Sequence, residues 1–301
     1  MAENKLFSTT LPLRILEFLG KHLPHSVGYF LARQIGALMS WFPNSRIMKA
    51  VRSNQRVIHN NRLTEKQLNS LCRKVMQLNA CMLFDFFYYL PRPQSMLNSF
   101  TFEPETLACI ERIRSGQPVV VVAPHLSNFD LTGQVLGKLG LDIQVLSYPN
   151  PNPSYQYQNY IRQQAGLNVI PISPQALKAA RKHLQAGGCV ITGMDRPIEN
   201  DTQQKYRPLF FGKPASLPVL HIRLAMELDV PVAVFACYYE SKGRYVVKGS
   251  QLHYMKQAGN LVDAVVMNTE VVLKDAERFI SEAPDQWLMF YPVWPEASKD
   301  S

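Results

Sequence analysis

Long apolar runs, paired cysteines and glycine-rich nucleotide loops are all missing from this chain of 301 residues. The most apolar stretch, Val27 to Phe42, is 16 residues long and is interrupted by Arg33 and Gln34. A bilayer crossing needs roughly 20 residues, so no membrane-spanning helix is expected. The five cysteines form no CxxC pair, their number is odd, and no signal peptide is read before them. They are read as reduced thiols in a cytoplasmic protein, with neither a disulfide framework nor a zinc or other metal site. The sequence has no GxSxG nucleophile elbow, no GxGxxG and no P-loop; Gly133 to Lys138 falls one residue short of a Walker spacing. Serine hydrolysis, dinucleotide redox chemistry and nucleotide hydrolysis therefore lack their usual handles. Internal repeats and low-complexity tracts are absent too.

Acidic residues are scarce in one region only. Residues 1–100 hold 13 Lys/Arg against 4 Asp/Glu, and the rest of the chain balances at 19 of each, so the whole net charge of +9 lies in the first third. Such asymmetry implies an anionic partner, nucleic acid or membrane. No aromatic-plus-basic RNA-binding pattern falls on a predicted strand, so no nucleic acid is expected. Val27 to Phe42 ends in Trp41-Phe42, residues suited to a membrane interface, and Arg46, Lys49, Arg52, Arg56 and Arg62 follow. An apolar helix and a basic one can lie together on an anionic leaflet. The competing reading packs the apolar face on the domain and leaves the cations solvated.

Two regions are expected: a helical, basic, membrane-associating region over 1–92, and an α/β domain over 93–301, integrated as one body. Residues 11–90 read as helices, with a capping box at Thr64–Gln67. After the Pro91–Gln94 boundary, β-rich runs alternate with helical stretches. The runs are PVVVVA, LDIQVLS, LNVIPI, CVITGM and PVAVFACYY, with GRYVVKG as an added antiparallel strand. The fold class is thus α/β, with a mostly parallel sheet covered on both faces. Ligands bind such sheets at the carboxyl ends of strands, where His125, Asp195 and the Tyr148 loop fall.

In VVVVAPHLSNFDLTG, the strand delivers His125 at its carboxyl end, and Asp130 enters the first turn of the next helix. A carboxylate there is placed to hold one imidazole nitrogen while the other takes a proton. It is equally placed to complete the helix cap begun by Ser127 or Asn128. Spacing alone leaves the two readings level.

The block Pro124-His125-Leu-Ser-Asn-Phe-Asp130 resembles the HX4D/E motif of the lysophospholipid acyltransferase superfamily. The whole chain is most similar to its bacterial lipid A biosynthesis branch, the lauroyl and myristoyl transferases, which includes phosphatidylinositol mannoside acyltransferases. Further ordered blocks carry the resemblance: Asn152-Pro153 with Arg162, the GMDRP and PLFFGKPASLP segments, and PDQWLMFYPVW. Two positions depart from the pattern. Tyr148-Pro149 stands where the family often has Tyr-Arg, and Phe290 to Val293 replace a His/Arg-rich segment. Both remove cations that could meet the phosphates or sugars of a lipid A precursor.

The resemblance implies the αβ acyltransferase fold and transfer of a fatty acyl chain from a thioester to a hydroxyl of a glycolipid or phospholipid. It implies His125 as base, Asp130 as the group that orients it, and backbone amides or Arg162 at the oxyanion. Asn152, Asp195, Arg196, Phe211 and Gly212 are the other expected substrate contacts. The co-substrate is acyl-carrier protein or acyl-CoA, with no other cofactor. Membrane lipids, anionic ones above all, are the expected partners. The location implied is the cytoplasmic face of the inner membrane, held peripherally. The alternative is a catalytically silent lipid-binding protein on the same fold.

Overall fold

A computed structural model describes residues 2–198, 205–257 and 259–295. Four helices lead: α1 (Ala2–His22), α2 (His25–Met39), α3 (Arg46–Ile58) and α4 (Glu65–Tyr89). Thr64 accepts from the Gln67 amide while the Gln67 side chain returns to the Thr64 amide, so the expected capping box starts α4. A short α5 (Pro93–Asn98) and strand β1 (Phe100–Phe102) follow. Then come α6 (Pro104–Arg114), β2 (Val119–Ala123), α7 (Phe129–Lys138), β3 (Ile143–Ser147), α8 (Pro153–Gln164), β4 (Asn168–Pro171), α9 (Pro174–Gln185) and β5 (Cys189–Gly193). A small hairpin, β6 (Leu209–Phe210) and β7 (Lys213–Pro214), precedes α10 (Leu220–Leu228), β8 (Val232–Ser241), β9 (Arg244–Gly249) and α11 (Leu261–Glu282).

Seven strands form one sheet in the order β1-β9-β8-β2-β5-β3-β4. All neighbours are parallel except β8 and β9, which pair antiparallel as the sequence predicts. β2 is central and reads Val-Val-Val-Val-Ala because both of its faces are buried. Val120 and Val122 point to the side covered by α9, α10 and α11. Val119 and Val121 point to the other side, with Leu68 and Phe86 of α4, Ile110 of α6 and Leu131 of α7. Successive strand residues face opposite ways, so one short run serves two cores.

The helical region before residue 92 has one small apolar cluster of its own, Ala32, Cys81 and Phe84, and otherwise shares the core of the sheet. Cys72, Val75, Phe86 and Phe87 of α4 are fully or nearly buried against the sheet. Asn54 of α3 is buried and holds the chain's far end: its amide donates to the carbonyls of Met289 and Tyr291, and its oxygen accepts from Val293 N. Gln55 donates to the carbonyl of Pro284.

α2 is amphipathic in reverse. Its buried residues are the small ones, Gly28, Ala32, Gly36 and Ala37. A Cβ at Gly36 would stand 2.4 Å from the Met76 carbonyl oxygen, and one at Gly28 would overlap the Phe84 ring, so glycine is what lets α2 lie close on α4. The large apolar residues, Phe30, Leu31, Ile35 and Leu38, face outward. They continue into Trp41 and Phe42, exposed by 69% and 63%. No described helix is long and apolar enough to cross a membrane.

Candidate active site

Parallel pairing sets the site. β2 and β5 are neighbours with Ala123 opposite Gly193. Two residues further along each strand lie His125 and Asp195, so the register brings them face to face. Asp195 Oδ1 lies 2.5 Å from His125 Nδ1, and Oδ2 accepts from the His125 backbone N–H at 2.9 Å. Oδ2 also accepts from Trp287 Nε1 at 2.7 Å. The Asp195 side chain is wholly buried, and that of His125 is about one quarter exposed. A buried carboxylate needs such donors, since leaving them unmade costs several kcal/mol. The ring is further bounded by Phe129, edge-on at 4.7 Å, and by Gly193, where a Cβ would stand 3.2 Å from Cε1.

The loop carrying His125 is braced by the C-terminal segment. Leu126 bridges Trp287, Leu288 N donates to the His125 carbonyl, and Ser127 N donates to the Gln286 carbonyl. Ser127 holds a positive φ of 49°, an unfavourable conformation for a residue with a Cβ. Asn128 then caps α7, its oxygen accepting from Leu131 N while its amide donates to Met82 O and Tyr245 Oη. Tyr245 Oη in turn donates to Asp85, a wholly buried carboxylate that also meets His25 at the start of α2. Polar contacts thus run from the outward-facing helix to the loop that holds the histidine.

Asp130 does not orient His125. Its Oδ1 accepts from Arg162 Nε at 2.8 Å and Nη2 at 2.5 Å. The first turn of α7 aims this carboxylate at α8 and leaves the imidazole to Asp195. Arg162 Nη1 donates to Asn159 Oδ1, so the guanidinium is committed within the protein and is not a free donor for an oxyanion. Burial disfavours its charge, but the adjacent carboxylate outweighs that and lifts the guanidinium above its usual pKa.

Other expected contacts also move. Asn152 caps α8 by accepting from Tyr155 N and is not on the cavity wall. Phe211 and Gly212 both have positive φ, 50° and 72°, and form the two-residue turn between β6 and β7. That is the turn type a tight hairpin requires, which explains the Phe-Gly pair without a ligand. Phe211 packs on Trp287 and Trp294 as a buttress, and its N–H donates to Glu277. Arg196 does line the cavity.

That cavity measures about 1650 Å³ and opens beside His125. Its wall includes the apolar side chains of Leu136, Val145, Leu167, Ile172, Leu177 and Leu220. Arg196, Arg207 and Lys213 line it as well. Among the described residues, no cluster of His, Cys, Asp or Glu could hold a metal ion. The five cysteines are all free and buried. Burial raises the thiols, that of Cys72 to about 11 and that of Cys109 to about 12.

A sequence model of the bacterial lipid A biosynthesis acyltransferases matches residues 10–296. The chain belongs to that family. A phosphatidylinositol mannoside acyltransferase of Mycobacterium tuberculosis is 23% identical over 186 residues, 60% of this chain and 56% of that protein. A lipid A biosynthesis acyltransferase of Haemophilus influenzae is 23% identical over 228 residues, 75% of this chain and 69% of that protein. The matched stretch thus spans little more than half the length of the mycobacterial relative. Among solved structures, the 1-acyl-sn-glycerophosphate acyltransferase PlsC of Thermotoga maritima is similar at a TM-score of 0.37 and 16% identity, over 83% of this chain and 97% of that one. Within this acyltransferase family, the HX4D block of the present chain supplies an imidazole and a carboxylate that serve different partners.

Proposed function

We propose that this protein is an O-acyltransferase working at a membrane surface. It moves a fatty acyl chain from an acyl thioester to a hydroxyl of a glycolipid or phospholipid. The observation that carries this reading is His125, clamped through Nδ1 by buried Asp195 and opening on a large, half-apolar cavity. Nδ1–H donates to Asp195, so Nε2 is the basic nitrogen and faces the substrate side. His125 Nε2 removes the acceptor's hydroxyl proton as its oxygen attacks the thioester carbonyl. The tetrahedral intermediate collapses with loss of the C–S bond, and the imidazolium returns its proton to the departing thiolate. Asp195 stabilises the imidazolium in between, and a positioned base of this kind contributes roughly 10²–10⁴-fold. The apolar side chains of the cavity wall suit the acyl chain, and acyl-carrier protein or acyl-CoA is the donor.

The outward apolar face of α2, with Trp41 and Phe42, supports peripheral membrane contact. The cations of α3 contribute less than their number implies, because Arg52 and Arg56 both pair with Glu65.

The test is acyl transfer from radiolabelled acyl-CoA and from acyl-carrier protein to total membrane lipid. His125→Ala should abolish transfer while circular dichroism and vesicle flotation stay unchanged. Undiminished transfer by that variant sinks the reading, and turnover absent from the unsubstituted protein with both donors favours the silent lipid-binding alternative.

A further inference from the structure

We infer that Tyr245, held by the buried carboxylate of Asp85, is a positioning residue for His125. It acts through Asn128, which caps α7 three places after the histidine. The three residues come from α4, β9 and the loop after β2, so only the fold brings them together. Asp85 and Tyr245 are wholly buried and Asn128 nearly so. Burying a carboxylate is costly, and apolar residues of similar volume often serve stability as well or better. Packing alone therefore does not account for Asp85.

The chain of hydrogen bonds has one direction. A tyrosine hydroxyl has a single proton to donate. Tyr245 Oη gives it to Asp85 Oδ2; the Met82 thioether, 3.4 Å from the same hydroxyl, is the weaker acceptor. The hydroxyl oxygen is left to accept, and the Asn128 amide donates to it at 3.2 Å. The same nitrogen donates to the Met82 carbonyl at 2.9 Å. With the nitrogen so placed, the Asn128 oxygen faces Leu131 N, which is the cap. A hydroxyl free to turn would offer its proton to Asn128 and favour the flipped amide, which cannot cap. Asp85 is itself held, with Oδ1 2.7 Å from His25 Nε2 at the start of α2.

The cap matters to the base because the residue before it is strained. Ser127 holds a φ of 49°, and such a conformation persists only where its surroundings fix it. The bonds of Ser127 N and the His125 carbonyl to the C-terminal segment fix one side of the loop, and Asn128 fixes the other. A loosened Asn128 lets Ser127 relax and carries His125 away from Asp195. A misplacement of about 1 Å can cost about 10²-fold in rate. The role rests on the acyl-transfer reading, but the placement of His125 can be measured without turnover.

The experiment compares Tyr245→Phe, Asp85→Ala and Tyr238→Phe with the unsubstituted full chain. Tyr245→Phe keeps the ring that stacks on Phe100 and removes only the hydroxyl. Tyr238→Phe is the structural control. It too removes a buried tyrosine hydroxyl, one bonded to the Phe279 carbonyl and Glu282 in the core on the other side of the sheet. Two readouts are taken where urea melts show the protein folded. One is kcat and KM for acyl transfer. The other is the ring-nitrogen resonances of His125 in protein carrying isotope-labelled histidine, assigned by their loss in His125→Ala. Tyr245→Phe should lower kcat about tenfold or more, change KM less than about twofold, and shift or broaden the His125 resonances. Asp85→Ala should act in the same direction, and Tyr238→Phe should change neither readout. In an Asn128→Ala background, where the cap is already gone, Tyr245→Phe should have little further effect on kcat. Unmoved His125 resonances in Tyr245→Phe or in folded Asp85→Ala, an undiminished kcat in Tyr245→Phe, equal changes in Tyr238→Phe, or full additivity with Asn128→Ala overturns the proposal. If the unsubstituted protein turns over neither donor, the acyl-transfer reading fails, and the His125 resonances still decide whether Tyr245 positions the ring.

Discussion

Asp195 grips His125 twice, with one carboxylate oxygen on the ring and the other on the backbone N–H of the same residue. A single buried group therefore fixes both the position of the histidine and which of its nitrogens is basic. Trp287 completes the grip from the C-terminal segment.

From this follows a separation of the two acidic residues. In Asp195→Asn the amide faces three donors with only one acceptor oxygen, so kcat should fall about 10²-fold or more, with a shifted pH profile. Asp130→Asn should act on stability instead. It leaves Arg162 without its anion and should cost about 2 kcal/mol, less than the roughly 3–5 kcal/mol of a fully buried pair because Asp130 is partly exposed. Steady-state kinetics and urea melts on both variants check the assignment. A larger loss of kcat in Asp130→Asn than in Asp195→Asn would show that the helix-turn carboxylate is the orienting one.

His221 of α10 predicts a pH dependence of folding. The residue is 2% exposed, and neither ring nitrogen has a hydrogen-bond partner among the described residues. Burial lowers its pKa from 6.5 to about 4. The unfolded chain thus binds a proton that the folded one refuses between these values. Stability falls as pH drops from 6.5 towards 4, by at most about 3 kcal/mol, and is unaffected by this group above 6.5. His221→Leu should flatten that part of the stability curve and be neutral or stabilising at pH 7, since no hydrogen bond is lost. Urea melts at pH 7.5, 5.5 and 4.5 measure both effects. An identical slope in the variant assigns the acid sensitivity to other groups.

The reversed amphipathicity of α2 predicts that its two faces fail differently. Phe30→Asp with Trp41→Ala, on exposed positions, should leave the melting temperature within a few degrees and strongly reduce flotation with anionic vesicles. Gly36→Leu should do the opposite and unfold the helix pair, because its side chain would enter the Met76 backbone. If the surface variant floats as well as the unsubstituted protein, membrane contact lies elsewhere.

Much of the fold was readable because the strands and helices are long and periodic. The five parallel strands and the antiparallel addition fall where alternating composition places them. β1, α5 and the β6–β7 hairpin are too short to leave a periodic signal. His125 was legible as a strand-end histidine. Its partner was not, because β5 lies 70 residues from it and only strand order and register reveal the pairing. Nearness in sequence favoured Asp130, while the helix turn directs that side chain to α8. Phe211-Gly212 looked like a ligand-facing block, yet the paired positive φ values show a turn. Val27 to Phe42 was legible as an apolar segment, but which of its faces packs on α4 was not.

The clasp between α3 and the chain's far end bears on the order in which a ribosome completes this molecule. All the described strands are made by residue 249, and so are the loops that carry His125 and Asp195. Trp287, the Gln286 carbonyl and the backbone that Asn54 captures come later. A nascent chain can therefore expose the apolar face of α2 before the loop that carries the histidine is braced. The outward face of α2 is thus available early, and the brace on the histidine loop closes last.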